Sequence, residues 1–131
     1  MTNSRKKILI VEDDNDLRDL LSKHLNRYYE IGQAEDGEQG LNFIINFKPD
    51  LVLLDLLLPK LSGLEMLERV RKHPDAAVAG VKVIVFSNFS TPEFILKARE
   101  LQVRDYLVKS NTDIKDLIKK IERIIDEPQK I

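Results

Sequence analysis

The stretch Ile8-Leu9-Ile10-Val11-Glu12-Asp13-Asp14 is an unbroken apolar run that stops on three acids. Three more runs end on polar residues of other kinds: Leu51 to Leu54 on Asp55, Val83 to Phe86 on Ser87, and Tyr106-Leu107-Val108 on Lys109. Unbroken apolar runs suit parallel strands covered on both faces. Open parallel sheets bind ligands outside the carboxyl ends of their strands. The four ends would therefore bring carboxylates, a hydroxyl and an ammonium into one crevice. That donor set fits a divalent cation and a phosphoryl group.

Working outward, segments of helical period alternate with these runs, which argues for an α/β fold with a parallel sheet. Residues 15–28 place Leu17, Leu20, Leu21, Leu25 and Tyr28 on one helical face. Residues 38–47 follow an Asp36-Gly37 turn and present Leu41, Ile44 and Ile45, and a third helix runs from about Gly63 to Lys72. A fourth opens at Ser90-Thr91-Pro92-Glu93, where a hydroxyl cap precedes a proline in the first turn. The last, Thr112 to Asp126, has its acids first and its bases last, as the helix dipole prefers. The strands near 30–34 and 104–108 are shorter and mixed with polar residues, so they belong at the sheet edges. Weak second and fifth strands flanking strong first, third and fourth ones predict a flavodoxin-like, doubly wound (βα)5 unit with strand order 2-1-3-4-5. In that order the chain reverses between strands 1 and 3, so Glu12, Asp13 and Asp55 sit at the switch point.

The chain has 131 residues, enough for one domain with a core over about residues 6–126. Lys and Arg number 21 against 22 Asp and Glu, so no global field favours nucleic acid or an anionic membrane. With no cysteine, disulfides, thiolate metal sites and cysteine nucleophiles are excluded. The four apolar residues after the basic amino end are too few for a signal peptide, and no segment approaches a membrane span. A cytoplasmic protein is the expectation. The polar tail Glu127 to Ile131 reads as an ending, which favours a stand-alone domain.

Each polar strand end also has a plainer explanation. Asp13 or Asp14 could cap the helix that begins near Asn15, Ser87 could simply end a strand, and Lys109 could be a solvated charge. Asp55 resists such an account, because a carboxylate between four apolar residues and Leu56-Leu57-Leu58-Pro59 gains no stability there, and burying an unpaired ion is costly. Together the four supply what a carboxylate nucleophile needs for phosphoryl transfer: a metal site, a cation and a hydroxyl donor.

The motifs ILIVEDD, AEDGEQGL, PDLVLLDLLLPKLSG, VIVFS and RDYLVK, in this order and spacing, resemble the receiver domain of two-component response regulators across essentially the full length. The resemblance implies that Asp55 accepts a phosphoryl group from a sensor histidine kinase or a histidine phosphotransfer protein. It implies a signalling phosphoacceptor rather than an enzyme. Glu12 and Asp13 would hold Mg²⁺, or Mn²⁺ in its place, with Asp55 and the backbone carbonyl of Leu57. Ser87 and Lys109 would each bind a phosphoryl oxygen, Tyr106 would turn inward as Ser87 moves, and Gly63 would close the turn after Pro59. The readout face would be the helix opening at Pro92, the last strand and the last helix. It would meet a downstream protein as a monomer or a weak phosphorylation-dependent dimer, without direct nucleic-acid or membrane contact.

Three positions depart from the family pattern. Ser110 replaces the proline that commonly follows the lysine in a cis peptide. A cis bond to serine costs roughly 2.5–4 kcal/mol against roughly 0.5–1 for proline, which leaves a trans bond with an adjusted loop or a strained cis bond and favours the first. Asn88 stands where a small residue is usual and would either slow phosphotransfer or form a new hydrogen bond. Gln102 falls where glycine often ends the fourth predicted helix and would take a left-handed backbone. Leu57 and Phe89, two residues past Asp55 and Ser87, are apolar and would shield the phosphoryl group from water, giving slow decay. One alternative is an atypical receiver that works without phosphorylation, supported by Asn88 and Ser110. Another, a metal-dependent phosphatase, lacks an acid among residues 56–58.

Overall fold

The computed structural model of the protein describes residues 5–128, so the ends of both polar tails lie outside the described residues. The strands are β1 (Lys7–Val11), β2 (Glu30–Ala34), β3 (Leu51–Leu54), β4 (Lys82–Ser87) and β5 (Asp105–Val108). The helices are α1 (Asn15–Leu25), α2 (Gly37–Phe47), α3 (Gly63–Arg71), α4 (Ala76–Ala79), α5 (Pro92–Glu100) and α6 (Ile114–Ile125). All strand pairs are parallel and the order is β2-β1-β3-β4-β5, with the two polar-mixed strands at the edges. This is the flavodoxin-like arrangement that the sequence predicts.

Strand side chains alternate between the two faces, and the core divides accordingly. Leu9, Val11, Val52, Leu54, Val83 and Val85 pack with Ile44, Met66, Leu67, Val70 and Ala98 from α2, α3 and α5. Ile8, Ile10, Leu51, Leu53, Ile84 and Phe86 pack with Leu21, Leu25, Leu117, Ile121 and Ile125 from α1 and α6. Each fully buried side chain of this size contributes about 1.5–3 kcal/mol relative to exposure. Apolar runs without a polar face are thus the sequence signature of a sheet covered twice.

Register carries the polar strand ends together. Val11 pairs with Leu54, so Glu12 and Asp55 follow on neighbouring strands, and the Asp55 N–H donates to the Val11 carbonyl at 3.0 Å. Ser87 pairs with Val108, which sets Lys109 one step beyond it. Between β3 and α3 the loop returns so closely that the Gly63 N–H reaches the Leu56 carbonyl at 3.0 Å. A Cβ on Gly63 would lie 2.6 Å from the Asp55 carbonyl oxygen and 2.7 Å from the Leu56 Cα. Glycine there is a condition of the turn that holds Asp55.

Several expectations are corrected in detail. Helix α1 stops at Leu25, three residues short of the predicted end, which leaves Tyr28 69% exposed; within the helix, Leu21 and Leu25 face the core and Leu20 is 43% exposed. His24, one residue before the end of α1, is exposed. The four-residue α4 was not predicted, because so short a segment shows no period; Asp75 caps it by accepting from the Ala77 N–H. Thr91 precedes Pro92 at the start of α5 but makes no side-chain capping bond. Gln102 does adopt the left-handed backbone, with φ of 61°.

Candidate functional site

Asp55 is buried, 6% exposed, and both of its carboxylate oxygens are held. Oδ1 accepts from the Ser87 hydroxyl at 2.6 Å and from the Leu57 N–H at 3.2 Å, while Oδ2 pairs with Lys109 Nζ at 2.7 Å. The same ammonium reaches Glu12 Oε1 at 2.6 Å. A cation shared by two buried carboxylates offsets the cost of bringing them together. Strand ends from β1, β3, β4 and β5 therefore converge as the sequence predicts.

The three acids after β1 divide their work. Asp14 is the N-cap of α1, its Oδ1 accepting from the Asp16 and Leu17 N–H groups. Glu12 turns inward, 3% exposed, and Asp13 remains exposed. Carboxylate oxygens of Glu12, Asp13 and Asp55 all lie within 4.8 Å of one another. Clustered hard oxygen donors, one side open to water, fit a cation such as Mg²⁺, which keeps part of its hydration shell. The capping role that could have explained the acids away thus belongs to Asp14 alone.

Burial and charge perturb the site in opposite senses. Burial pushes the Glu12 carboxyl above its ordinary value, an effect the Lys109 hydrogen bond reduces without reversing. Burial pulls Lys109 down, yet its hydrogen bonds to Asp55 and Glu12 and their charges carry it above the usual lysine value. Lys109 is thereby kept as an ammonium where a phosphoryl oxygen would need one. Burial, and secondarily the Asp55 charge, raise the Tyr106 phenol.

Tyr106 is half-buried on β5, and its hydroxyl donates to the Phe89 carbonyl. The Phe89 ring meets Phe94 edge-on at 4.5 Å, whereas the Leu57 side chain is 55% exposed. The peptide between Lys109 and Ser110 is trans, and residues 109–111 form a 3-10 turn. Asn88 makes the new hydrogen bond: its Oδ1 accepts from the Ser110 N–H at 2.9 Å. One contributor escaped the sequence reading. Arg18, one turn into α1, donates to the Glu12 carbonyl at 2.7 Å and stands 3.9 Å from Glu35. Its link to the site is through a backbone oxygen, which leaves no mark in a sequence.

Residues 8–122 match the family model of the response regulator receiver domain. The chain belongs to that family. Receiver domains are signalling phosphoacceptors of two-component systems, with phosphodonor partners such as histidine kinases. This receiver domain is 32% identical to sporulation initiation phosphotransferase F of Bacillus subtilis, over 88% of this chain and 92% of that protein. It superposes on a CheY-like receiver domain protein from Methanospirillum hungatei with a TM-score of 0.85 and 31% identity, covering 94% of this chain and 95% of that one. The Mn(2+)-bound form of response regulator Rcp1 gives a TM-score of 0.77 at 28% identity, covering 96% and 99%. Among curated relatives that are transcriptional regulators, the chain spans about half their length, 51% and 50% in two cases. No helix among the described residues is long and apolar enough to cross a membrane.

Proposed function

We propose that this receiver domain takes a phosphoryl group onto Asp55 from a phosphohistidine of a sensor histidine kinase or a phosphotransfer protein. The observation that carries the reading is a buried carboxylate whose two oxygens are gripped by a hydroxyl at 2.6 Å and an ammonium at 2.7 Å, beside two further acids. Asp55 attacks phosphorus, an O–P bond forms, the N–P bond of the donor breaks, and the imidazole leaves with its electron pair. Glu12, Asp13, Asp55 and the Leu57 carbonyl would hold Mg²⁺ or Mn²⁺, which supplies charge neutralisation for the phosphoryl oxygens. Binding of Mn(2+) by a relative supports that choice.

Phosphorylation of Asp55 removes the charge from its carboxylate and places it outward on the phosphoryl oxygens. The donors that now bind the carboxylate follow that charge: Lys109 pairs with one phosphoryl oxygen and Ser87 bonds another. Conformers with both groups drawn in are favoured, which is a population shift driven by local electrostatics. Tyr106, tied to the Phe89 carbonyl two residues past Ser87, conveys the shift to α5, β5 and α6. That face carries Lys97, Arg99, Glu100, Lys119, Lys120 and Arg123, a mixed-charge surface suited to a protein target. Leu57 and Phe89 shield the phosphoryl group, so making both polar should shorten its half-life. Asn88 and Ser110, the grounds for a phosphorylation-independent module, bond each other and leave Ser87 and Lys109 on Asp55.

Intact mass after incubation with Mg²⁺ and acetyl phosphate or phosphoramidate tests the proposal. One added phosphoryl group is expected in the wild type and none in Asp55→Asn. No gain in the wild type, with Mg²⁺ binding intact, would overturn it.

A further inference from the structure

The two groups that grip Asp55 come from separate loops. Ser87 ends β4 and Lys109 follows β5, and the residue after each, Asn88 and Ser110, is exposed. Asn88 Oδ1 accepts from the Ser110 backbone N–H at 2.9 Å, and this bond ties the two loops one residue beyond the gripping side chains. It needs an N–H at position 110, which serine has and proline lacks. The residues on either side are tied too. Ser87 Oγ donates to Asp55 and accepts from the Phe89 N–H at 3.2 Å, while the Phe89 carbonyl accepts from the Tyr106 hydroxyl. Three successive residues, 87 to 89, are thus bonded to Asp55 just past β3, to the 109–111 turn, and to β5.

We propose that Asn88 is a positioning residue that couples the Ser87 loop to the Lys109 turn, so that the hydroxyl and the ammonium move on and off the phosphoryl group together. Ser87 shifts toward the charge and carries Asn88 with it. Asn88 then draws the Ser110 N–H, and with it the start of the 109–111 turn, in the same direction. Without the tie, each loop would reach its bound position independently, and each would pay its own ordering entropy. The proposal deepens the phosphoacceptor reading and rests on it.

A double-mutant cycle tests it, read in two ways. In the first, the Ser110 amide is followed by ¹H–¹⁵N NMR on the unmodified protein. Asn88→Ala should shift that proton as a protein hydrogen bond is exchanged for water, and Asn88→Asp, which keeps an acceptor oxygen, should restore it. In the second, beryllofluoride is titrated as a phosphoryl mimic in the presence of Mg²⁺. Asn88→Ala should weaken its binding about two- to fivefold, the scale of one solvent-flanked hydrogen bond. Ser110→Pro removes the donor, so Asn88→Ala should have no added effect in that background. An unmoved Ser110 amide, or losses that multiply in the double variant, would overturn the coupling. Failure of the wild type itself to bind beryllofluoride would instead overturn the phosphoacceptor reading, with the amide result still reporting whether the tie exists.

Discussion

Lys82 begins β4 at the amino end of the sheet and Lys109 follows β5 at the carboxyl end, and the two ammonium groups are satisfied by different kinds of oxygen. Lys82 Nζ donates to the Ile125 carbonyl at 2.8 Å and to the Glu127 carbonyl, where α6 ends. Lys109 Nζ pairs with the carboxylates of Glu12 and Asp55 at 2.6 and 2.7 Å. Two nearby cations follow the first pattern, while Arg104 pairs with the Glu127 carboxylate at 3.0 Å. Arg71 donates to the carbonyls of Ala79, Val81 and Leu101, and Lys7 to that of Phe47. Peptide carbonyls at helix ends stabilise a cation but take no part in chemistry. Carboxylates can ligate a metal or attack phosphorus, so a cation among them can be handed to a new anion. Burial, then the nearby Arg104 and Lys6, hold the Lys82 ammonium below the ordinary lysine value, whereas Lys109 lies above it. On the proposed function, Lys82 at one end of the sheet serves stability and Lys109 at the other serves transfer of charge.

The largest effect expected from this contrast is on phosphorylation. Lys109→Met should slow phosphoryl incorporation about 100-fold, the usual scale for removing one donor aimed at developing charge, as measured by intact mass against time. Equal rates in variant and wild type would erase the distinction between the two ends. Lys82→Met should do the reverse, lowering unfolding stability in urea by about 1–3 kcal/mol by stranding buried carbonyls, with the phosphorylation rate unchanged. Gly63→Ala sharpens the comparison because it strikes a backbone turn that serves the site. The added Cβ has backbone atoms at 2.6 and 2.7 Å, so we expect a loss of about 1–3 kcal/mol together with slower phosphorylation.

A smaller effect follows from the lowered Lys82 value. Between the folded pKa and the unfolded one near 10.5, the unfolded chain binds more protons than the folded one. Wild-type stability should therefore rise with pH across that window relative to Lys82→Met. A difference between the two proteins that stays flat through the alkaline range would contradict the assignment.

What the sequence disclosed and what it concealed follow the same division. The strands β1, β3 and β4 were legible because both faces are covered, and the residues at the strand ends were legible because each interrupts an apolar run. Asp55, Glu12, Ser87 and Lys109 came together as expected from that pattern. The amino-end cations were not legible, since Lys82 and Arg71 find backbone oxygens far away in the chain. Helix α1 ends before its pattern does, because Tyr28 continues the apolar period past Leu25, where the chain leaves the helix to enter β2. Left-handed backbone at Lys48 and Lys60, with φ of 49° and 67°, also went unforeseen, because lysine carries no signal for it.

The most direct test is to locate the phosphoryl group chemically. Borohydride reduces an acyl phosphate to an alcohol, so phosphorylated protein treated in this way and mapped by peptide mass spectrometry should read homoserine at position 55. Untreated and unphosphorylated protein should read aspartate there. Reduction at Glu12 or Asp13, or phosphorylated protein with position 55 unreduced, would contradict Asp55 as the acceptor.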